Sequence, residues 1–187
     1  MGLSPTGDLG IAHWDAGTVD VVIDVNGYFQ QVEGASPGTP RSGLRTPAVG
    51  QSRGPYRFSA LKPCMIVDTQ AANGRPILRS GEVRNYPVWS GGIRGVGCGV
   101  PLTAKALLVQ VRVHNQSNPG FLILYPYGMA QPLVSTINFK LAPDDPERSN
   151  GAIIELGSDP NFQLSVYSEL YGGGTVWMAL DVTGYFQ

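Results

Sequence analysis

Two histidines, His13 and His114, are the only side chains of this 187-residue sequence with an ordinary pKa near neutrality. Neither stands near a Gly-x-Ser-x-Gly sequence or another context that marks a nucleophile. His13 is in phase with Leu9 and Ile11 along an alternating stretch, so we interpret it as a partly buried strand residue. The sequence therefore predicts no catalytic residue, and we expect a protein that is not an enzyme and uses no cofactor.

Single aspartates stand at the ends of apolar stretches, at Asp24, Asp68 and Asp181. A Ca²⁺ site needs several oxygen ligands that converge, and these carboxylates come one at a time. We therefore expect them to accept hydrogen bonds from backbone N–H groups at strand ends. The one acidic cluster, residues 144–148, is interpreted as a solvated turn, with a weak calcium site as the less favoured alternative.

The two cysteines, Cys64 and Cys98, are too few for a cysteine-built zinc site. Both lie beside turn-forming residues, Pro63 in one case and Gly97 and Gly99 in the other. An even count in a glycine-rich sequence with few charges favours one disulfide over two buried free thiols. Such a bond would contribute about 3–4 kcal/mol to stability by the chain-entropy relation.

Aromatic residues near the C-terminal end are candidates for ligand binding. Tyr167, Tyr171 and Trp177 lie in or beside two successive apolar stretches, and the alternation places Trp177 on an outward side. Two or three rings on one exposed face can form a platform for a carbohydrate. The alternative, which we prefer, is that they cover a sheet edge or a subunit interface, where Tyr and Trp are also favoured.

The composition favours an all-β protein. Hydrophobic residues make up 42% of the chain and charged residues only 14%, and there are 25 glycines and 15 prolines. Val, Ile, Thr and Tyr lie between clusters of turn-forming residues, which is typical of short strands. A formal net charge of −1 predicts no binding to nucleic acid, and the lack of an 18-residue apolar run predicts no insertion into a membrane.

A segment near the N-terminal end is repeated at the C-terminal end. Residues 17–30 and residues 174–187 are identical at nine of fourteen aligned positions, and an alternating stretch precedes each copy. Each copy, ended by its glycine at 27 or 184, is therefore predicted to form a β-hairpin with that stretch. The inward side of the first hairpin and the apolar pair that follows it consist of Val19, Val21, Ile23, Val25, Tyr28 and Phe29.

The rest of the chain divides into a linker, residues 31–55, and a body, residues 56–187. The linker is rich in Pro and Gly, with a reach of tens of ångströms at about 3 Å per residue. In the body, residues 105–114 form the clearest predicted strand, with Leu107, Val109, Val111 and Val113 inward and Gln110 and Arg112 outward. Further strands are predicted at residues 57–61, 64–69, 82–89, 121–125, 134–140 and 152–156, followed by the terminal hairpin. This spacing predicts a single β-sandwich or jelly-roll domain, preceded by an extra N-terminal hairpin, residues 1–30.

Six landmarks follow one another in the body: residues 63–69, 98–101, 124–126, 132–139, 149–150 and 181–186. In this order they resemble a repeat module of bacterial secreted and cell-surface proteins, which opens with Pro-Cys-Arg-x-x-Asp-Thr-Arg and closes with Asp-Val-x-Gly-Tyr-Phe. This chain departs from that pattern at Met65 and Gln70, where arginine is usual. The resemblance implies an extracellular or cell-surface protein without a defined activity, although the chain does not open with a signal-peptide pattern.

The predicted N-terminal hairpin is surplus, because the body is expected to carry its own closing hairpin. An isolated hairpin with an exposed apolar side is marginally stable and prone to aggregation. Its partner could be an earlier module of a longer tandem protein, a neighbouring subunit, or its own body. We favour donation to a neighbouring subunit, which gives head-to-tail contacts that do not close and therefore build a filament.

Two functions are thus expected from the sequence. The first is a non-catalytic extracellular structural protein that assembles with copies of itself into a filament or surface array. The alternative is a carbohydrate-binding or adhesion module of a larger tandem-repeat secreted protein, with a cell-surface polysaccharide as its partner.

Overall fold

The computed structural model describes residue 18 and residues 56–71, 76–89 and 98–187. Its strands are β1 (Phe58–Asp68), β2 (Leu78–Arg79), β3 (Glu82–Tyr86), β4 (Ala106–His114), β5 (Gly120–Pro126), β6 (Ile137–Phe139), β7 (Glu147–Glu155), β8 (Leu164–Leu170) and β9 (Thr175–Phe186). Since these residues contain no helix, the all-β prediction is confirmed, and no membrane-spanning helix occurs in the same ranges. The predicted N-terminal hairpin and the linker lie outside the described residues, apart from Thr18.

The strands form two antiparallel sheets that enclose one core. The first sheet has the order β1-β9-β4-β7, with β2 paired to the start of β9, and the second has the order β3-β8-β5-β6. β9 is an interior strand of the first sheet, paired with β1 on one side and with β4 on the other. This arrangement confirms the predicted sandwich.

The alternation in β4 builds the core as expected. Leu107, Val109, Val111 and Val113 are at most 2% exposed, whereas Gln110 and Arg112 on the other side are half-buried. The second sheet faces them with buried residues of β5 and β8: Leu122, Leu124, Leu164, Val166 and Leu170. Each such buried side chain stabilises the fold by about 1.5–3 kcal/mol.

The two strands predicted at residues 57–61 and 64–69 are one strand, β1. Pro63 lies inside it, and the pairing of β1 with β9 shifts register between Ala60 and Cys64 and again between Met65 and Val67. Proline lacks an N–H, so a strand can contain it at a sheet edge or at such an irregularity. The predicted break was wrong because the edge position accommodates the proline.

The predicted C-terminal hairpin was also wrong. β8 and β9 are consecutive, yet β8 pairs with β3 and β5 in the second sheet and β9 lies in the first. Between β8 and β9 lie three successive glycines with positive φ, Gly172, Gly173 and Gly174. Their conformation lets the chain turn from one sheet to the other. Period-two alternation shows which side of a strand is buried, but it does not identify the strand's neighbour. β9 also continues through Gly184 instead of ending there.

Candidate functional site

β9 shows what the repeated residues do when they are folded. Its inward side chains are at most 1% exposed and lie in the centre of the core: Val176, Met178, Leu180 and Val182. The aligned positions of the N-terminal copy are all apolar and β-branched: Val19, Val21, Ile23 and Val25. The copy therefore keeps the character that an interior strand needs on its buried side.

The Gly-Tyr-Phe end of the repeat has a specific packing role in β9. The ring of Phe58 lies over Gly184, so that a Cβ at residue 184 would be 2.4 Å from a ring carbon. The rings of Phe58 and Phe186 have centroids 5.1 Å apart, and Arg57 and Gln187 exchange two backbone hydrogen bonds of 2.7 and 3.1 Å. The N-terminal copy retains this end at residues 27–30. It thus repeats residues that serve, in β9, to pack against a neighbouring strand.

The opening landmark is held against β9 by the backbone and the side chain of Thr69, whose N–H donates to the Met178 carbonyl over 2.9 Å. The Thr69 hydroxyl donates to the Met178 carbonyl over 3.1 Å and accepts from the Met178 N–H over 2.8 Å. The carboxylate of Asp68 accepts a hydrogen bond from the Gln70 N–H over 2.9 Å, as expected of an aspartate at a strand end.

Asp181 differs from that expectation, because it lies inside β9 and not at its end. Its cross-strand neighbours are Met65 on β1 and Gln110 on β4. Met65 is one of the two positions at which the resemblance expected from the sequence would place an arginine. An arginine at residue 65 would stand directly opposite this carboxylate, and the methionine supplies no charge to pair with it.

Cys64 and Cys98 form a disulfide, as predicted, with a Cα–Cα distance of 5.7 Å and a sequence separation of 34 residues. It ties the irregular middle of β1 to the segment that leads into β4. Beside it lies an open depression of about 390 Å³, lined by Leu61, Lys62, Pro63 and Gly99 as well as the two cysteines. The disulfide indicates an oxidising environment, since thiols of cytosolic proteins are generally kept reduced.

The three aromatic residues predicted for carbohydrate binding do not share a face. Trp177 alternates with buried residues of β9 and lies opposite His114 on the outer side of the first sheet. Tyr167 lies on the outer side of the second sheet, and Tyr171 follows the end of that strand. The platform predicted from Tyr167, Tyr171 and Trp177 is therefore wrong, again because consecutive strands enter different sheets.

A different set of three rings does come together on the outer side of the second sheet. Phe121 lies between Tyr167 and Tyr171, with ring centroids 6.3 and 6.2 Å apart respectively. Tyr171 is 64% exposed. Sequence reasoning missed Phe121, because residues 121–125 are all apolar and show no alternation that would assign its side. We call Phe121, Tyr167 and Tyr171 the aromatic cluster.

A carboxylate lies at the rim of the aromatic cluster. The Tyr167 hydroxyl donates a hydrogen bond to Glu169, and the Ser80 hydroxyl is 3.4 Å from the other carboxylate oxygen. The hydrogen bond to Glu169 raises the pKa of the Tyr167 hydroxyl, and burial and the charge of Glu169 act in the same direction. The cluster thus combines apolar ring faces with a fixed acceptor.

The predicted solvated turn at residues 144–148 is partly wrong. Asp145 is only 7% exposed, and its carboxylate accepts hydrogen bonds from Arg148 Nε over 2.8 Å and from the Lys140 N–H over 3.1 Å. The strand β7 begins at Glu147, within the same acidic stretch. In the part of the chain that the structure describes, no three potential metal ligands converge here or elsewhere.

No protein-family model matches this sequence, and no curated protein matches it. Among solved structures, the chain is similar to the capsid asymmetric unit of the cyanophage Pam1. The two are 14% identical, and the match covers 80% of this chain and 99% of that chain with a TM-score of 0.38. A likeness at this level carries no argument about the function of this protein.

Proposed function

We propose that this protein is a non-catalytic structural protein that assembles with copies of itself, and that residues 17–30 of one copy bind the next copy as a β-strand. The observation that carries the proposal is the position of β9. Residues 17–30 repeat a strand that lies between two neighbours and over the core, and the body already contains β9 in that place. The second copy of the strand needs an acceptor elsewhere.

In this proposal, residues 17–30 bind as a single strand. Because β8 and β9 belong to different sheets, residues 17–30 repeat a single strand and not half of a hairpin. A lone strand leaves all its backbone N–H and C=O groups unpaired, and its apolar side has no core to cover it. Addition to an open sheet edge would pair one row of these groups and bury that side.

Such a contact joins different surfaces of the two copies. A head-to-tail contact of this kind does not close on itself unless its rotation happens to make a ring, so it builds filaments or arrays. The linker, residues 31–55, allows the strand to reach a neighbour, since its Pro-rich sequence extends about 3 Å per residue.

The disulfide supports an extracellular or cell-surface setting for this assembly. The resemblance of the body to bacterial secreted repeat modules favours the same setting.

The proposal is tested by charging the inward side of the segment in the full-length chain. The double variant Val21→Asp with Ile23→Asp should remain monomeric under conditions in which the wild type assembles, because two carboxylates would be buried against an apolar surface. The control is Val22→Asp, which places one carboxylate on the opposite side of the same segment. Sedimentation velocity that shows unchanged assembly of the double variant contradicts the proposal.

A tandem arrangement is the competing account of the same repeat. In that case residues 1–30 would complete a preceding module of a longer chain. A wild-type chain that stays a monodisperse monomer at all concentrations would favour the tandem arrangement and exclude self-assembly.

The aromatic cluster supports a second candidate function, the binding of a polysaccharide. Its three rings share one face and a carboxylate lies at the rim, and ring faces of this kind can stack on sugar rings. Tyr171→Ala should then reduce retention on an insoluble polysaccharide without changing the oligomeric state. Trp177→Ala on the other sheet is the control and should bind as the wild type does.

A further inference from the structure

We infer that the free edge of β7, together with the groove beside it, is the surface that accepts residues 17–30 of a second copy. This inference rests on the proposed function, and it names the place where the donated strand binds. We call this surface the acceptor edge, formed by residues 147–155 and 132–136.

The sheet edges of the described body differ in their capacity to pair with another strand. β1 is interrupted by Pro63 and by two register shifts, β6 has three residues and β3 has five. β7 pairs with β4 over nine consecutive residues without a register shift, and no described strand pairs with its other side. Among the described strands, only β7 is both regular and long enough for the seven-residue alternating stretch, residues 19–25.

The middle of β7 lacks the features that usually protect an edge. Exposed edge strands of monomeric proteins commonly carry a lysine, a proline or a bulge in their middle. Residues 149–154 of β7 contain no charge and no proline, and residues 149–151 are exposed. The charges of β7 stand at its ends, on Glu147, Arg148 and Glu155.

A groove beside β7 can hold the apolar side of the added strand. Its volume is about 200 Å³, and its lining comes from both sheets and from the loop between β5 and β6. Apolar residues that line it are Leu124, Pro132, Val134, Ile153 and Ile154, and the polar residues are Ser135, Thr136 and Glu155. Val134 is 49% exposed, and the adjoining Leu133 is fully exposed. A strand added to β7 with Val21 and Ile23 inward would direct these side chains toward this groove, because alternate residues of a strand point to the same side.

The outer side of the same edge carries charges of both signs. Glu147 and Glu155 of β7 lie on that side, and Arg112 of β4, one strand further in, has its guanidinium 3.8 Å from the Glu147 carboxylate. The outward side of the segment carries Asp20 and Asp24. These carboxylates favour a register of the added strand that keeps them away from Glu147 and Glu155.

The length of chain outside the described structure permits this contact. β1, where the linker arrives, and β7 are the two outermost strands of one sheet, three strand spacings of about 4.8 Å apart. The 25 residues of the linker, 31–55, exceed that distance several-fold and so also reach another copy. The experiment must therefore distinguish binding of the segment to another copy from its binding to β7 of its own chain.

Photo-crosslinking of the full-length chain locates the acceptor directly. A benzoylphenylalanine placed at residue 22, on the outward side of the segment, is activated in a mixture of isotopically heavy and light copies. The inference predicts heavy–light crosslinks to residues 147–155. Heavy–light crosslinks to β1 or β3 would overturn the acceptor edge while leaving self-assembly intact, and crosslinks to β7 within one chain only would overturn both.

A pair of matched substitutions tests the same surface by affinity. Val134→Lys in the groove should weaken assembly at least about tenfold, because its long charged side chain would occupy the space that the inward side chains of the added strand enter. Val83→Lys on β3 is the control, since Val83 is 50% exposed against 49% for Val134. Wild-type assembly of Val134→Lys, or an equal loss in both variants, contradicts the inference. Equal thermal unfolding temperatures exclude a folding defect.

Discussion

Gly120 lies where β5 passes very close to the backbone of β8. A Cβ at this position would be 2.0 Å from the Glu169 carbonyl oxygen, whereas a Cβ at Gly151 would have nothing nearer than 3.7 Å. We expect Gly120→Ala to lower the free energy of unfolding by about 3 kcal/mol through overpacking, and Gly151→Ala to change it by less than about 1 kcal/mol. Urea titration of both variants measures the difference, and equal stabilities would show that β5 and β8 are not packed this closely.

Asp145 makes the free energy of unfolding depend on pH in the acid range. Its hydrogen bond with Arg148 lowers the pKa of the carboxyl, burial opposes this effect, and the Lys140 N–H and the charges of Arg148 and Lys140 add to the lowering. A depressed folded-state pKa stabilises the protein above the ordinary carboxyl pKa of about 3.9, and this contribution is lost as pH falls through the folded-state value.

Asp145→Asn should therefore be less stable than the wild type at neutral pH, with a smaller loss of stability on acidification from pH 5 to pH 2. Denaturant titrations across this range measure both slopes. If stability falls with pH equally steeply in the variant and the wild type, Asp145 does not contribute to the loss of stability in acid.

At the scale of elements, the disulfide stabilises the join between β1 and the segment before β4. Closing a loop of 34 residues predicts a contribution of about 4 kcal/mol from the restricted unfolded chain. The double variant Cys64→Ala with Cys98→Ala should lose most of this amount in thermal or denaturant unfolding. Reduction of the wild type should give a similar loss, and a reducing agent should leave the double variant unchanged. If reduction leaves the wild type equally stable, the bond does not constrain the unfolded chain.

The elements also show how far the sequence determines the fold. Alternation identified β4 and its buried side, because side chains of a strand alternate between faces regardless of partner. It did not identify the neighbours of β8 and β9, since pairing is decided by the turn at Gly172 to Gly174 and by strands distant in sequence. For the same reason, alternation alone predicts one shared face for Tyr167, Tyr171 and Trp177, although Trp177 lies on the other sheet.

At the scale of the whole molecule, β9 occupies the place in the body that its sequence repeat would otherwise take. Among the described residues, the core is formed by residues between 66 and 182, including those of β9 itself. In the proposed account, the second β9-like strand adds to another copy through the long linker, and β7 receives it. On that account the repeat is the means of assembly.

Sedimentation velocity over a range of concentrations, for the intact chain and for residues 31–187, tests this account most directly. The account predicts that the intact chain forms species that grow with concentration, whereas the truncated chain sediments as a single monomer with an unchanged thermal unfolding temperature. A monomeric intact chain at every concentration, or equal assembly of the truncated chain, would contradict it.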